Sequence, residues 1–158
     1  MSSLSAVEHR AVAHAAATEV LTARVGHEEY GLDILAVQEI RRYEPATRVA
    51  NSPEHLLGVV DLRGVVVPIV DLRLHLGVPA AVGPGTVTVI VNVGPRTVGL
   101  VVDAVSEVVN LAAEQIRPPP AIVSSDRTAF IVGLVSLGSA TERRMLLLVH
   151  LETLLQHF

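Results

Sequence analysis

The segment Gly58-Val-Val-Asp-Leu-Arg-Gly-Val-Val-Val-Pro-Ile-Val-Asp71 consists of two apolar runs joined by a short polar turn. β-Branched residues such as valine favour extended strands, and Gly64 can adopt the positive φ that a tight turn requires. The pattern therefore predicts a β-hairpin around Arg63 and Gly64. Pro68 has no backbone N–H to donate, so we expect it at a sheet edge or at a bulge.

Apolar runs of the same kind lie on both sides of this hairpin, separated by residues that favour turns. The predicted strands are Val20 to Val25, Tyr30 to Ile40 with one irregular stretch, Val87 to Val93 and Val98 to Val105 as a second hairpin, Phe130 to Leu137, and Met145 to Val149. Helical signals are confined to three short segments, Ser52 to Leu57, Leu72 to Leu76 and Leu151 to Phe158. Alternating β/α units would need helices of about 10–15 residues, so the sequence predicts an all-β, barrel-type fold.

The chain has 158 residues, a length that suits one compact domain or two small lobes. Residues 1–18 are rich in alanine and show no core periodicity, so we expect a flexible tail ahead of a folded region over residues 19–158. Residues 77–85 are rich in glycine and proline, which predicts a loop at the boundary between two lobes.

Composition disfavours several classes of function. The net charge of −4 and the aromatic content of 3% leave little to bind or stack on nucleic acid. No apolar run reaches the roughly 18–20 residues of a membrane span, so we expect no direct membrane insertion. The chain contains no cysteine and shows no export signal, which makes the cytoplasm the expected compartment.

The side chains that carry chemistry do not form a recognisable catalytic or metal-binding pattern. The seven histidines are scattered, and the glycines around Ser136 have the wrong spacing for a nucleophile elbow. Asp61 and Asp71 are predicted to be solvated residues at strand ends. We therefore expect no catalysis, cofactor or metal, and instead a surface that binds proteins. A catalytic or ligand-binding β-barrel stays open, and a polar pocket with perturbed titratable groups would indicate it.

Three stretches resemble the CheW family of bacterial chemotaxis coupling proteins: Glu29-Tyr-Gly-Leu-Asp-Ile-Leu-Ala-Val-Gln-Glu-Ile40, Leu57 to Arg73 and Val98 to Val108. Leu111 to Pro118 extends the resemblance. It implies two five-stranded SH3-like β-barrels packed about a shared apolar core. It also implies an adaptor that joins the cytoplasmic tips of methyl-accepting receptors to the regulatory domain of the histidine kinase CheA. Such a protein is cytoplasmic and is recruited to receptor arrays at the membrane.

The resemblance also implies two binding surfaces. The kinase-binding positions are Val37, Glu39, Ile40 and Arg41, and the receptor-binding positions, expected in the groove between the lobes, are Gly58, Arg63, Gly99, Val105 and Val108. The valines, Ile40 and the glycines would also suit a buried core or a backbone requirement. We further hypothesise that Glu39 and Arg63 form an ion pair that orients Arg63. An adaptor of the same fold in another kinase pathway, such as surface motility or gene regulation, stays open.

Overall fold

The structure, a computed structural model, describes residues 19–120, 129–138 and 141–156. The predicted tail over residues 1–18 lies outside the described residues. The strands are β1 (Glu19–Val25), β2 (Glu28–Asp33), β3 (Val37–Arg42), β4 (Leu56–Leu62), β5 (Val65–Asp71), β6 (Val87–Val93), β7 (Arg96–Val102), β8 (Ala104–Asn110), β9 (Ile116–Arg117), β10 (Ile131–Gly138) and β11 (Arg143–Val149). Two short helices, α1 (Leu72–His75) and α2 (Leu151–Leu155), are described with them. The predicted all-β class is confirmed.

The described residues fall into two compact units. Residues 19–22, 28–35, 106–120, 129–138 and 141–156 belong to the first unit, and residues 23–27 and 36–105 belong to the second. Residues 77–85, where the sequence places a boundary, lie inside the second unit. The reason is that β5 and β7, on either side of this loop, pair with each other in one sheet.

A five-stranded sheet in the order β3-β6-β7-β5-β4 forms the second unit. β4 pairs with β5, and β6 pairs with β7, both antiparallel, so the two predicted hairpins are confirmed. Five buried side chains form the core cluster of this unit: Leu62, Val67, Ile69, Ile90 and Val101. Pro68 lies in an interior strand instead of at an edge. It is tolerated there because the pairing of β5 with β7 begins at Ile69.

The first unit is built on a six-stranded sheet in the order β8-β1-β2-β11-β10-β9. Its core cluster contains Val20, Leu111, Val135, Leu146 and Leu148. The sixth strand, β9, has only two residues and pairs with β10 at Leu134 and Val135. β8 and β9 are the outer strands of this sheet, so each has one paired neighbour within the described part of the chain.

The irregular stretch predicted within Tyr30 to Ile40 is confirmed, as a 3-10 turn at Ile34–Ala36. Local predictions failed at two places. The run Val98 to Val105 is interrupted at Asp103, between β7 and β8. The helix predicted over Ser52 to Leu57 is absent: the Ser52 hydroxyl donates back to Val49, one turn closes from Leu56 to Pro53, and β4 then begins. A single turn followed by strand pairing satisfies these backbone groups without a helix.

Candidate functional site

The charged cluster on β3 is centred on the carboxylate of Glu39. One of its oxygens accepts from Arg63 at 3.1 Å, and the other accepts from Arg41 at 3.3 Å. Arg41 also lies 3.8 Å from Glu44. The hydrogen bond from Arg63 is the main reason that the pKa of Glu39 is lowered, and Arg41 acts in the same direction. The Glu39–Arg63 ion pair predicted from the sequence is confirmed.

Arg63 stands in the turn between β4 and β5, where its backbone has an unusual conformation. Its φ is 53°, in the left-handed region that non-glycine residues rarely adopt. The turn is held by a hydrogen bond of 2.8 Å from the amide of Gly64 to the carboxylate of Asp61. The Arg63 side chain is 66% exposed. The hairpin therefore holds a guanidinium at the surface, and Glu39 restrains it.

A cavity of about 220 Å³ opens beside this guanidinium within the second unit. Besides Arg63, it is lined by Gln38, Leu62, Val65, Val67 and Thr97. Val65 is 56% exposed, and its neighbour Val66 is 67% exposed. The surroundings of Arg63 thus combine one cation with exposed apolar surface, as protein-binding sites often do.

The four predicted kinase-binding residues lie together on β3, an outer strand of the five-stranded sheet. Ile40 is 44% exposed, although an isolated strand pattern would also suit a core position. Val37, Glu39 and Arg41 are half-buried. The strand therefore presents one exposed apolar side chain beside a cluster of charges.

The two predicted receptor-binding glycines, Gly58 and Gly99, are both buried. Gly58 has a φ of 147°, and a Cβ atom there would overlap the backbone oxygen of Thr47. A Cβ atom on Gly99 would lie 2.5 Å from Cδ1 of Ile69 and 2.8 Å from Cγ2 of Thr88. Close packing between strands is thus sufficient reason for glycine at both positions.

Val105 and Val108 lie on β8, and the structure reveals residues around Val108 that the sequence did not predict. Val108 is 47% exposed. The preceding residue, Glu107, accepts a hydrogen bond of 2.9 Å from Arg144, which also contacts both carboxylate oxygens of Glu29 at 2.7 and 2.8 Å. Arg144 and Glu29 are 115 positions apart in the chain, so no local sequence signal could have identified the pair. The hydrogen bonds from Arg144 are the main reason that the pKa of Glu29 is lowered.

A second ion-pair cluster, formed by Arg73 with Asp71 and Asp103, is centred on a buried arginine. Arg73, 1% exposed, makes two hydrogen bonds of 3.0 Å to Asp71, one of 3.2 Å to Asp103 and one of 2.8 Å to the carbonyl of Ala81. Asp103 also accepts from the backbone amide of Gly26. The prediction that Asp71 is solvated is wrong, because this aspartate caps α1 and is 2% exposed. The cluster joins four segments of the second unit and is structural.

Titratable groups with shifted pKa values have local structural causes. Three further groups have shifted pKa values. Burial and the neighbouring Glu28 raise the pKa of Tyr30. Hydrogen bonds to carboxylates raise the pKa values of Arg73 and Arg144.

In the described part of the chain, no group of three or more metal-ligating side chains is found. Nor do the described residues include a helix long and apolar enough to cross a membrane.

Comparison with known proteins agrees with this architecture. The family model of the CheW-like domain matches residues 19–158. A chemotaxis protein CheW from Klebsiella aerogenes is 46% identical over 138 residues, covering 87% of this chain and 81% of the relative. A probable chemotaxis protein CheW from Rhizobium etli is 39% identical over 137 residues, covering 86% of each. The crystal structure of the scaffolding protein TtCheW from Thermoanaerobacter tengcongensis superposes with a TM-score of 0.74 at 29% identity, covering 84% of this chain and 88% of that one. The chain therefore belongs to the CheW-like domain family.

Proposed function

We propose that this chain is a non-catalytic adaptor in chemotaxis signal transduction. It couples the cytoplasmic tips of methyl-accepting chemoreceptors to the regulatory domain of a CheA-like histidine kinase, and so allows receptors to control the kinase. In this role it is recruited from the cytoplasm to receptor arrays at the membrane. Family membership over residues 19–158 supports the general role, and one feature of the surface carries the specific one.

That feature is the exposed guanidinium of Arg63, held by Glu39 in the turn of the β4–β5 hairpin. The bond to Glu39 uses Nη2 of Arg63 and leaves Nη1 and Nε without an ion pair among the described residues. A guanidinium binds carboxylate groups through two parallel hydrogen bonds. An acidic or amide side chain of a receptor helix is therefore a suitable ligand, with apolar contacts supplied by the neighbouring Val65 and Val66.

The remaining receptor-binding positions divide by exposure. On β8, the exposed Val108 and the half-buried Val105 supply apolar side chains for receptor contact. Gly58 and Gly99 are buried, so we assign them to the packing that supports the surface and not to direct contact. A substitution at either glycine would then weaken receptor binding by disturbing the fold.

The kinase-binding surface in this proposal is β3, with Val37, Glu39, Ile40 and Arg41. An outer strand presents unpaired backbone groups, which makes it suited to pairing or packing with another protein. Ile40 supplies exposed apolar area, and the charges of Glu39 and Arg41 supply specificity. Because Glu39 contacts Arg63, a substitution of Glu39 would disturb both surfaces and is a poor test of either one alone.

Binding titrations with two purified partners test the proposal. One partner is a soluble cytoplasmic fragment of a receptor from the same organism, and the other is the regulatory domain of its CheA-like kinase. Arg63→Ala should weaken receptor binding by tenfold or more, since truncation of an interfacial arginine often costs about 2 kcal/mol. Arg48→Ala, which removes the same charge from another exposed arginine, should bind like the parent. Equal binding by both variants would contradict the assignment of Arg63.

Failure of the parent chain to bind either partner at about 50 μM would contradict the chemotaxis role, because a working signalling contact is expected to be tighter. The same titration against the kinase of a surface-motility or gene-regulation pathway would then identify the alternative. The chemotaxis role and the alternative pathway share the fold and the adaptor role, and they differ only in the partners that bind.

A further inference from the structure

The outer strand β8 carries Val108, and an unusual side chain holds this strand in place. Among the described strands of the six-stranded sheet, β8 pairs only with β1. On β1, Thr22 is 1% exposed although it lies in an otherwise apolar run. Its hydroxyl oxygen faces Glu107, the residue that precedes Val108.

The hydroxyl of Thr22 satisfies both backbone groups of Glu107. It donates to the carbonyl oxygen of Glu107 at 3.0 Å and accepts from the amide of Glu107, also at 3.0 Å. The hydroxyl oxygen of Ser106 lies 2.5 Å from the hydroxyl oxygen of Thr22. Since a hydroxyl has one donor and two acceptor sites, Ser106 must be the donor in that contact. The donor and both acceptor sites of the Thr22 hydroxyl are therefore used on two successive residues of β8.

Val108 is fixed from both sides by these contacts and by packing. On one side, Glu107 is bound by Thr22 through its backbone and by Arg144 through its carboxylate. On the other side, Val109 packs against the core cluster of the first unit. Val108 itself remains 47% exposed. A side chain held in place before binding loses less conformational freedom when a partner docks.

We propose that Thr22 is a positioning residue, whose hydroxyl fixes β8 so that Val108 is presented to the receptor. The role in receptor binding rests on the function proposed above, whereas the ordering of β8 does not. Thr22 contacts no partner in this account and acts only through the backbone of Glu107. Its removal should therefore affect the receptor surface and leave kinase binding on β3 unchanged.

Hydrogen exchange of the 158-residue chain tests the ordering of β8. Thr22→Val keeps the shape of the side chain but removes the hydroxyl, and we expect the amides of residues 106–110 to exchange about tenfold faster, as loss of one or two hydrogen bonds implies. Thr22→Ser keeps the hydroxyl and should exchange like the parent. Ser106→Ala keeps both bonds to Glu107 and is the matched control. If Thr22→Val does not fold, Thr22→Ala compared with Thr22→Ser gives the same test.

Binding of the same variants tests the consequence for function. Thr22→Val should weaken binding of the receptor fragment about fivefold while binding of the kinase regulatory domain stays unchanged, and Thr22→Ser should restore the parent affinity. Unchanged exchange in Thr22→Val, or equal loss of binding to both partners, would overturn the proposal. If the parent binds no receptor fragment, the function proposed above is wrong. The exchange data then decide alone whether Thr22 orders β8.

Discussion

Replacing Arg73 with methionine keeps a long side chain but removes its charge, and we expect it to destabilise the second unit strongly. In the parent, two bonds of 3.0 Å join the guanidinium to Asp71, one of 3.2 Å joins it to Asp103, and one of 2.8 Å joins it to the carbonyl of Ala81. All four would be lost while both carboxylates remain. The variant therefore leaves buried negative charge without its partner.

The expected loss follows from the burial of the two acids. The Asp71 side chain is 3% exposed and cannot regain water, whereas Asp103 is 21% exposed and can regain part of it. Removing one partner of a buried ion pair costs about 3–5 kcal/mol. That is a large part of the roughly 5–15 kcal/mol by which a domain is stable. For a chain of this size it corresponds to a melting temperature lower by on the order of 10 °C.

Urea and thermal unfolding, followed by far-ultraviolet circular dichroism, measure this loss. The chain has no tryptophan and only two tyrosines, so a fluorescence signal would be weak. Arg73→Lys keeps the charge and should lose less stability than Arg73→Met. In a double-mutant cycle with Asp71→Asn, the two changes should be coupled by about 1–3 kcal/mol. A loss below about 1 kcal/mol in Arg73→Met would show that the buried ion pair contributes little to stability.

Two further predictions concern stability. Gly58→Ala should cost about 3–5 kcal/mol of unfolding free energy, because its Cβ atom would overlap Thr47 at a positive φ. Gly64→Ala, whose Cβ atom meets no neighbour, should cost only about 1–2 kcal/mol in the same urea assay. Equal losses would contradict this. Because Arg144 lowers the pKa of Glu29 from 4.5, the stabilisation by Glu29 is complete above that value and is lost as the pH falls through its lower folded-state pKa. The difference in unfolding free energy between the parent and Glu29→Gln should thus be about 1 kcal/mol at neutral pH and decrease in acid; a constant difference would speak against the ion pair.

The tripeptide Asp-Leu-Arg shows both the reach and the limit of sequence reasoning. At Asp61 to Arg63 it forms the predicted turn of a hairpin, because the flanking valines and Gly64 specify that structure locally. At Asp71 to Arg73 the same tripeptide is buried, and its aspartate and arginine form an ion pair. The later residues Ala81 and Asp103 complete the hydrogen bonds of this second copy. Local sequence therefore predicts the element, and distant residues decide exposure.

The candidate site was predictable to the same degree. Opposite charges in two family-like stretches were enough to predict the Glu39–Arg63 pair, which the structure contains. The hydrogen bonds that hold β8 were not predicted, because Thr22 lies 85 positions from Glu107 and the sequence shows it only as a polar residue between Leu21 and Ala23. Its burial and its three hydrogen bonds become visible only when β1 and β8 are side by side.

The adaptor role is best tested by kinase activity in a reconstituted mixture of this chain, the CheA-like kinase and a soluble receptor fragment from the same organism. We expect the parent chain to be required for the receptor fragment to control the kinase. Arg63→Ala should abolish this control, while its melting temperature stays within a few degrees of the parent and its binding to the kinase is retained. Kinase activity that responds to the receptor fragment equally with and without this chain would show that the chain is not the adaptor between them.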